Sequence, residues 1–128
     1  MTAIVVDTSA LMAILLGEDS AGRCVDVLAG CDAPLLSAAT VAEALVVAGR
    51  RGCRDGMERL LARLGAEIVA LESRDAALVA DAYDRWGKGV HPAGLNLGDC
   101  FAYALAKRRG CALLFTGADF ARTDLPAA

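Results

Sequence analysis

Four acidic side chains, far apart in the chain, have the chemistry to hold a divalent cation together. Carboxylates that converge repel one another, and the repulsion raises some of their pKa values. A hard cation such as Mg²⁺, which prefers carboxylate and water oxygens, relieves that repulsion. A metal held in this way suits phosphodiester hydrolysis, because it polarises a phosphoryl oxygen and lowers the pKa of a bound water. The four candidates are Asp7, Glu43, Asp99 and Asp119.

The places of these acids relative to the predicted strands indicate that they converge. Asp7 directly follows the first strand pattern, and Glu43 falls in the first turn of the helix predicted after the second. Asp119 comes just beyond the last strand pattern, and Asp99 opens a helical segment. In open parallel sheets, ligands bind in the crevice beyond the carboxyl ends of the strands. We therefore expect the four carboxylates to meet at one edge of one sheet.

Each acid also has a structural alternative, which the sequence leaves open. Thr40 and Glu43 match a capping box at the start of a helix. Asp99 in a first turn would be favoured by the helix dipole. Asp7 has the residue type of an ordinary helix cap, and Asp119 that of a turn residue after a strand.

The elements that must position the acids alternate along the chain. Apolar runs with the pattern of buried strands occupy residues 3–6, 35–37, 67–71 and 112–116. Helical spacing of apolar residues follows residue 8 and covers residues 20–28, 41–50, 54–64, 73–86 and 97–109, with a loop at 87–96. This alternation predicts an α/β fold with a mostly parallel central sheet.

Length and composition narrow the class of protein. A chain of 128 residues is expected to form one domain. The net charge of −3 argues against broad electrostatic binding of nucleic acid, but not against a nuclease whose acids surround a metal. The hydrophobic share of 56% exceeds what one small core needs and predicts a subunit or partner interface. Candidate interface residues are Leu11, Ile14, Leu15, Val46 and Val47.

Two features predict a soluble protein of the reducing cytoplasm. The five cysteines contain no C-x-x-C pair, which favours buried small hydrophobic residues over a zinc site or disulfides. No apolar stretch approaches the ~20 residues that a membrane span needs.

The sequence lacks the residues that other catalytic systems need. The single histidine, His91, excludes a paired-histidine ribonuclease mechanism, and we predict a loop or packing role for it. No nucleophile-elbow or phosphate-loop motif occurs. Basic residues at two predicted helix ends are explained by the helix dipole, with RNA-phosphate contact as the alternative. They are Arg50, Arg51, Lys107, Arg108 and Arg109.

Longer motifs make the chain resemble a known family, the PIN-domain toxins of VapBC toxin–antitoxin pairs. The resemblance covers essentially all of residues 1–128, and the segment around Asp99 is its most specific part. The motifs are VDTSA at 6–10, AE at 42–43, GKGVHPA at 87–93, LNLGDCFAYALA at 95–106 and TGADFARTD at 116–124.

The resemblance implies both a fold and an activity. The fold is a three-layer α/β domain whose central, mostly parallel sheet of four to five strands is flanked by helices. The activity is that of an endoribonuclease that depends on Mg²⁺ or Mn²⁺. Its implied partners are an RNA substrate, a second copy of the chain and an antitoxin that blocks the site.

The resemblance also carries residue roles. The family's metal-binding and catalytic acids fall on Asp7, Glu43, Asp99 and Asp119. Candidates for substrate contact or for support of the acids are Thr8, Ser9 and Thr116. Ala118 stands where similar chains often carry Asn or Asp, so a complete second metal site is not implied.

Three rival functions remain. A non-enzymatic phospho-acceptor module of the flavodoxin-like kind would have adjacent acids after the first strand and a lysine after the last, but Asp7 stands alone and Thr116 takes the lysine's place. A phosphomonoesterase would need a second aspartate where Ser9 stands. An inactive interaction module would have its acids scattered in space.

Overall fold

The protein, described by a computed structural model over residues 3–128, is built on a four-stranded parallel sheet. The strands are β1 (Ala3–Val6), β2 (Ala33–Ser37), β3 (Glu67–Val69) and β4 (Ala112–Leu114). Their order across the sheet is β3-β2-β1-β4, and every neighbouring pair is parallel. The prediction of a parallel α/β sheet of four to five strands is confirmed.

Two helices fill each crossover between consecutive strands. They are α1 (Thr8–Leu16), α2 (Ala21–Ala29), α3 (Ala38–Arg50), α4 (Arg54–Leu64), α5 (Ser73–Trp86) and α6 (Leu97–Arg109). A short 3-10 turn, Phe120–Arg122, follows β4.

The strand β1 is buried on both faces by helices, so the fold has three layers. Val5 points into one core cluster, where Trp86 and Leu105 of α5 and α6 pack. Ile4 and Val6 point into the other cluster, formed with α1 to α4. Side chains alternate between the two faces of a strand, so a four-residue apolar run supplies both cores.

The strand order places a topological switch between β1 and β4. The chain moves from β1 outward to β2 and β3, and then returns to the opposite side of β1 as β4. In open α/β sheets, ligands bind beyond the carboxyl ends of the strands at such a switch. Asp7 follows β1 at this point.

The outer edge of β4 is covered by the end of the chain. Leu113 N donates to the Pro126 carbonyl oxygen at 3.1 Å, and Ala128 N donates to the Leu113 carbonyl oxygen at 2.9 Å. On the other side of the sheet, β3 forms the edge.

Several predicted boundaries are wrong, one of them beside a candidate acid. The strands predicted to reach residues 71 and 116 end at Val69 and Leu114, because their parallel partners have ended there. The helix predicted from residue 41 begins at Ala38, because the hydroxyl of Ser37 caps it by accepting from Ala39 N at 3.2 Å. Glu43 therefore lies in the second turn, and its predicted capping box with Thr40 does not form.

The predicted interface residues divide between core and surface. Leu11 is fully buried, so that prediction is wrong, whereas Ile14, Leu15 and Val47 are partly buried and pack against the core of α1 to α4. Val46 is 60% exposed. No disulfide joins the five cysteines; Cys24 and Cys100 are buried as predicted, whereas Cys31, Cys53 and Cys111 are only partly buried. Between residues 3 and 128, no helix is long and apolar enough to cross a membrane.

Candidate metal centre

Asp7 is a buried carboxylate with one oxygen unsatisfied. It follows β1 and caps α1, and its Oδ2 accepts a hydrogen bond from Ser9 N at 2.9 Å. Its Oδ1 is buried without a hydrogen-bond partner, and the residue is only 2% exposed. Burial, with a smaller contribution from the charge of Glu43, raises the pKa of Asp7 to about 6. An unsatisfied buried oxygen of this kind is a position for a cation.

Asp99 faces the other three acids from the start of α6. Its Oδ2 accepts from Asn96 N at 3.0 Å, and Asn96 Oδ1 accepts from Asp99 N at 2.8 Å, so the two form a capping box. Burial and, to a smaller extent, the charges of Asp7, Glu43 and Asp119 raise the pKa of Asp99 to about 7. Asp99 therefore lies near enough to the other three acids to be affected by their charges, as the predicted convergence requires.

Glu43 and Asp119 complete the group from two other elements. Glu43 accepts a hydrogen bond from the Thr8 hydroxyl through Oε1 at 2.6 Å, and its carboxylate lies against Gly98. Asp119 precedes the 3-10 turn and is exposed. We call these four acids the acid cluster: Asp7, Glu43, Asp99 and Asp119.

The predicted hydroxyl residues support the acid cluster. Thr8 fixes Glu43, and the Ser9 backbone amide fixes Asp7. The Ser9 side chain accepts from Thr116 N at 3.0 Å, and the Thr116 hydroxyl donates to the Ser9 carbonyl at 3.4 Å. These bonds tie the start of α1 to the segment that leads to Asp119.

The acid cluster suits a hydrated cation better than a closed protein cage. Among residues 3–128, no three Asp, Glu, His or Cys side chains lie close enough to hold a metal by themselves. Mg²⁺ is commonly held by one or two carboxylates together with water. No ion pair found in the described chain involves an acid of the cluster, so its charge is not neutralised by lysine or arginine. The residues present fit such a cation.

The basic residues at the end of α6 are occupied elsewhere. Lys107 pairs with Asp124, Arg108 with Asp75, and Arg109 with Glu67. At 1.5 Å per helical residue, Arg109 lies about 15 Å along the helix from Asp99. These partners and this distance support the structural interpretation of the three side chains.

His91 packs within its loop, as predicted. Its Nδ1 accepts from Ala93 N at 3.0 Å, and its ring lies edge-on to Trp86 with centroids 4.6 Å apart. Arg122, which the sequence did not single out, donates to the Pro92 carbonyl oxygen at 3.1 Å and ties this loop to the turn after Asp119. No local pattern marks that contact, because the two residues are 30 positions apart.

Known proteins match the chain over nearly its whole length. The PIN domain family matches residues 4–125. Ribonuclease VapC30 from Mycobacterium tuberculosis is 43% identical over 125 residues, which cover 95% of each chain. The solved structure of VapC20 from Mycobacterium tuberculosis, a sarcin–ricin loop cleaving toxin, has a TM-score of 0.81 at 16% identity and 98% coverage of both chains. A toxin–antitoxin complex from Klebsiella pneumoniae has a TM-score of 0.70 at 19% identity, covering 94% of this chain and 92% of that one.

Proposed function

Because this chain belongs to the PIN domain family and, within it, to the VapC ribonucleases, we propose that it is the endoribonuclease toxin of a toxin–antitoxin pair. It hydrolyses RNA phosphodiester bonds at the acid cluster, with the help of Mg²⁺ or Mn²⁺. The observation that carries the site is the unsatisfied, buried Oδ1 of Asp7, within a group of acids that form no ion pair with any residue the structure describes.

The metal ligands in this proposal are Asp7 and Asp99, with Glu43 and Asp119 bound directly or through water. A bound divalent cation supplies Lewis-acid polarisation of the phosphoryl oxygen and a water of lowered pKa. Carboxylates and water are the oxygen ligands that Mg²⁺ and Mn²⁺ favour.

The chain itself supplies the placement of the acids. The Ser9 amide holds Asp7 Oδ2 and leaves the buried Oδ1 without a protein partner. The Asn96 amide holds Asp99 Oδ2, and the Thr8 hydroxyl holds Glu43 Oε1. Asp119 is the exposed acid of the cluster, so we expect an RNA phosphodiester to approach from its side.

Asp99→Asn tests the assignment most directly. Asparagine keeps the shape of the side chain and can still accept from the Asn96 amide, so the capping box should survive. We expect cleavage of RNA by the purified protein with Mg²⁺ or Mn²⁺, none with EDTA, and at least about a hundredfold loss in Asp99→Asn, equivalent to ~2.7 kcal/mol in the barrier. Asp84→Asn, an exposed change on α5, is the matched control. Undiminished cleavage by Asp99→Asn would refute the site.

The flavodoxin-like phospho-acceptor function has less support. It needs a lysine after the last strand, whereas Thr116 is bonded there to Ser9. Incubation with a small phosphoryl donor and Mg²⁺ should leave Asp7 unmodified.

The partner surface of the proposal is a groove between α1, α2 and α4. We assign it to an apolar antitoxin helix. Ile14 and Leu15, two of the candidate interface residues, line it, while Arg59 and Arg63 border it. These arginines favour an occupant with acids on its flanks. An arginine of the same antitoxin could bridge carboxylates of the acid cluster bidentately and displace the metal.

Val25→Asp tests the groove without touching the core. Val25 lines the groove and is 48% exposed, so the change should weaken antitoxin binding but not folding. Val90→Asp, at a 62% exposed valine of the loop 87–96, is the matched control. We expect the antitoxin to be a small protein encoded beside this gene, and its co-expression should relieve the toxicity of wild type and Val90→Asp more than that of Val25→Asp. Equal rescue of all three would argue against the groove.

Two further expectations belong to this function. We expect a homodimer, which light scattering of the purified chain will show or refute. We also place the enzyme in the cytoplasm, because the lack of disulfides between its five cysteines suits a reducing compartment.

A further inference from the structure

Gly98, the second residue of α6, lies against the carboxylate of Glu43. Its φ is not in the left-handed region, so the backbone does not demand a glycine there. A Cβ at this position would overlap Glu43 Oε2 and lie 2.9 Å from Oε1. The three atoms nearest to that Cβ all belong to the Glu43 side chain, and none belongs to the backbone.

The other side of the same carboxylate is held by Thr8. Its hydroxyl donates to Glu43 Oε1 at 2.6 Å. The Glu43 carboxylate is therefore confined between a hydroxyl on α1 and a bare Cα on α6. Asp99, the next residue after Gly98, faces the charge of Glu43.

We propose that Gly98 is a positioning residue of the metal site, because its missing side chain leaves room for the Glu43 carboxylate beside Asp99. The inference rests on the proposed metal site. Glycine is a poor helix former, and alanine in a compatible conformation stabilises a helix. Gly98 therefore lowers the stability of the helix, and it leaves space for the Glu43 carboxylate.

The chain contains a matched control for this idea. Gly22 is the second residue of α2, as Gly98 is of α6, and no atom lies within 4 Å of a Cβ placed on it. Alanine at either position should improve the helix. Only alanine at 98 should move a carboxylate.

The test compares Gly98→Ala with Gly22→Ala. In EDTA, both variants should fold and melt at or above the wild-type temperature, with gains of roughly 1–5 °C. The clash at 98 should move the flexible end of Glu43 away from Thr8, and a crystal structure of metal-free Gly98→Ala should show this. Mn²⁺ binding, measured by calorimetry, should weaken about 10–100-fold in Gly98→Ala and stay at the wild-type level in Gly22→Ala.

A double variant isolates the route of the effect. If Gly98 acts only through Glu43, then Glu43→Ala/Gly98→Ala should bind Mn²⁺ as well as Glu43→Ala alone. Additional loss in the double variant would overturn the inference, as would wild-type affinity in Gly98→Ala. An unfolded Gly98→Ala protein would also overturn it, since the backbone rather than Glu43 would then resist the methyl group.

If the proposed metal site is wrong, wild-type protein will bind no Mn²⁺. The crystal structure of Gly98→Ala is then the one test of the positioning role. A displaced Glu43 carboxylate would support the positioning role, and an unmoved one would refute it.

Discussion

Two buried aspartates, one after β1 and the other at the start of the helix that follows β3, are treated differently by the fold. Asp7 in the acid cluster is 2% exposed and Asp75 at the start of α5 is 5% exposed. Asp75 Oδ1 lies 3.3 Å from Arg108 Nε, and its Oδ2 accepts from Glu72 N at 2.8 Å. Asp7 has no cation beside it. The two carboxylates are similarly buried, but they differ in whether a protein cation balances their charge. This difference separates a structural acid from one that can bind a ligand.

A third aspartate extends the comparison. Burial alone would raise the pKa of Asp124, but hydrogen bonds from Tyr103 and Lys107 hold it below its usual value. In the acid cluster, by contrast, burial and neighbouring charge raise the pKa of Asp99 to about 7. The interface of α5 and α6 neutralises its acids, and the carboxyl edge of the sheet leaves its acids in mutual repulsion.

The largest expected effect on stability comes from breaking the ion pair between Asp75 and Arg108. Asp75→Ala leaves Arg108, whose side chain is 18% exposed, without its partner and removes a capping box. We expect a loss of about 3–5 kcal/mol in the free energy of unfolding, the usual cost of stranding one partner of a buried pair. Urea denaturation will measure it. A loss below ~1 kcal/mol would show that the pair is solvated and the comparison with Asp7 false.

At Asp7, by contrast, we expect a substitution to raise the free energy of unfolding of the metal-free protein. Its pKa rises from 3.8 unfolded to about 6 folded, so the metal-free protein loses stability as the pH rises through that window, and the loss is complete above it. Asp7→Asn removes the penalty and should stabilise the metal-free protein by about 2–3 kcal/mol at pH 8, but not at pH 4. Unfolding in EDTA at both pH values checks this. A gain that is equal at both would rule out the charge as its cause.

Added metal should sharpen the contrast between the two regions. At a hundredfold excess over its dissociation constant, Mg²⁺ should stabilise wild type by about 2.7 kcal/mol. Asp7→Asn should gain less, because it lacks a ligand. Asp75→Ala should gain as much as wild type when both are measured by thermal unfolding with and without Mg²⁺. Equal gains in all three proteins would mean that Asp7 does not bind the ion.

The smallest effect concerns the network around Asp124. Tyr103 OH accepts from Trp86 Nε1 at 2.8 Å and donates to Asp124 Oδ1 at 2.5 Å. Tyr103→Phe leaves the buried indole N–H without an acceptor, at a cost of about 1–2 kcal/mol in unfolding free energy. The pKa of Asp124 should rise as well, which NMR titration can follow. An unchanged pKa would assign its low value to Lys107 alone.

Local patterns predicted the sheet and the convergence of the acids. The apolar run of residues 3–6, with Asp7 directly after it, was enough to place this acid at the carboxyl edge of the sheet, because the carboxyl ends of parallel strands lie at one edge. The surroundings of Glu43 were predicted wrongly, because Ser37 and Thr40 both have the residue type of a helix cap. Ser37 is the one that caps this helix. Contacts between distant residues, such as Gly98 with Glu43 or Asp75 with Arg108, have no local signature. They arise from tertiary packing alone.

The bonds from the last residues to Leu113 also bear on self-assembly. A strand edge exposes amide and carbonyl groups that pair with other chains. Leu113, the middle residue of β4, has both its amide and its carbonyl oxygen bonded to residues 126–128, so neither group is left to pair with a second molecule. The two sides of the sheet therefore differ. Residues 126–128 take the place beside β4 that a strand of another chain would need, whereas β3 has no such neighbour among residues 3–128.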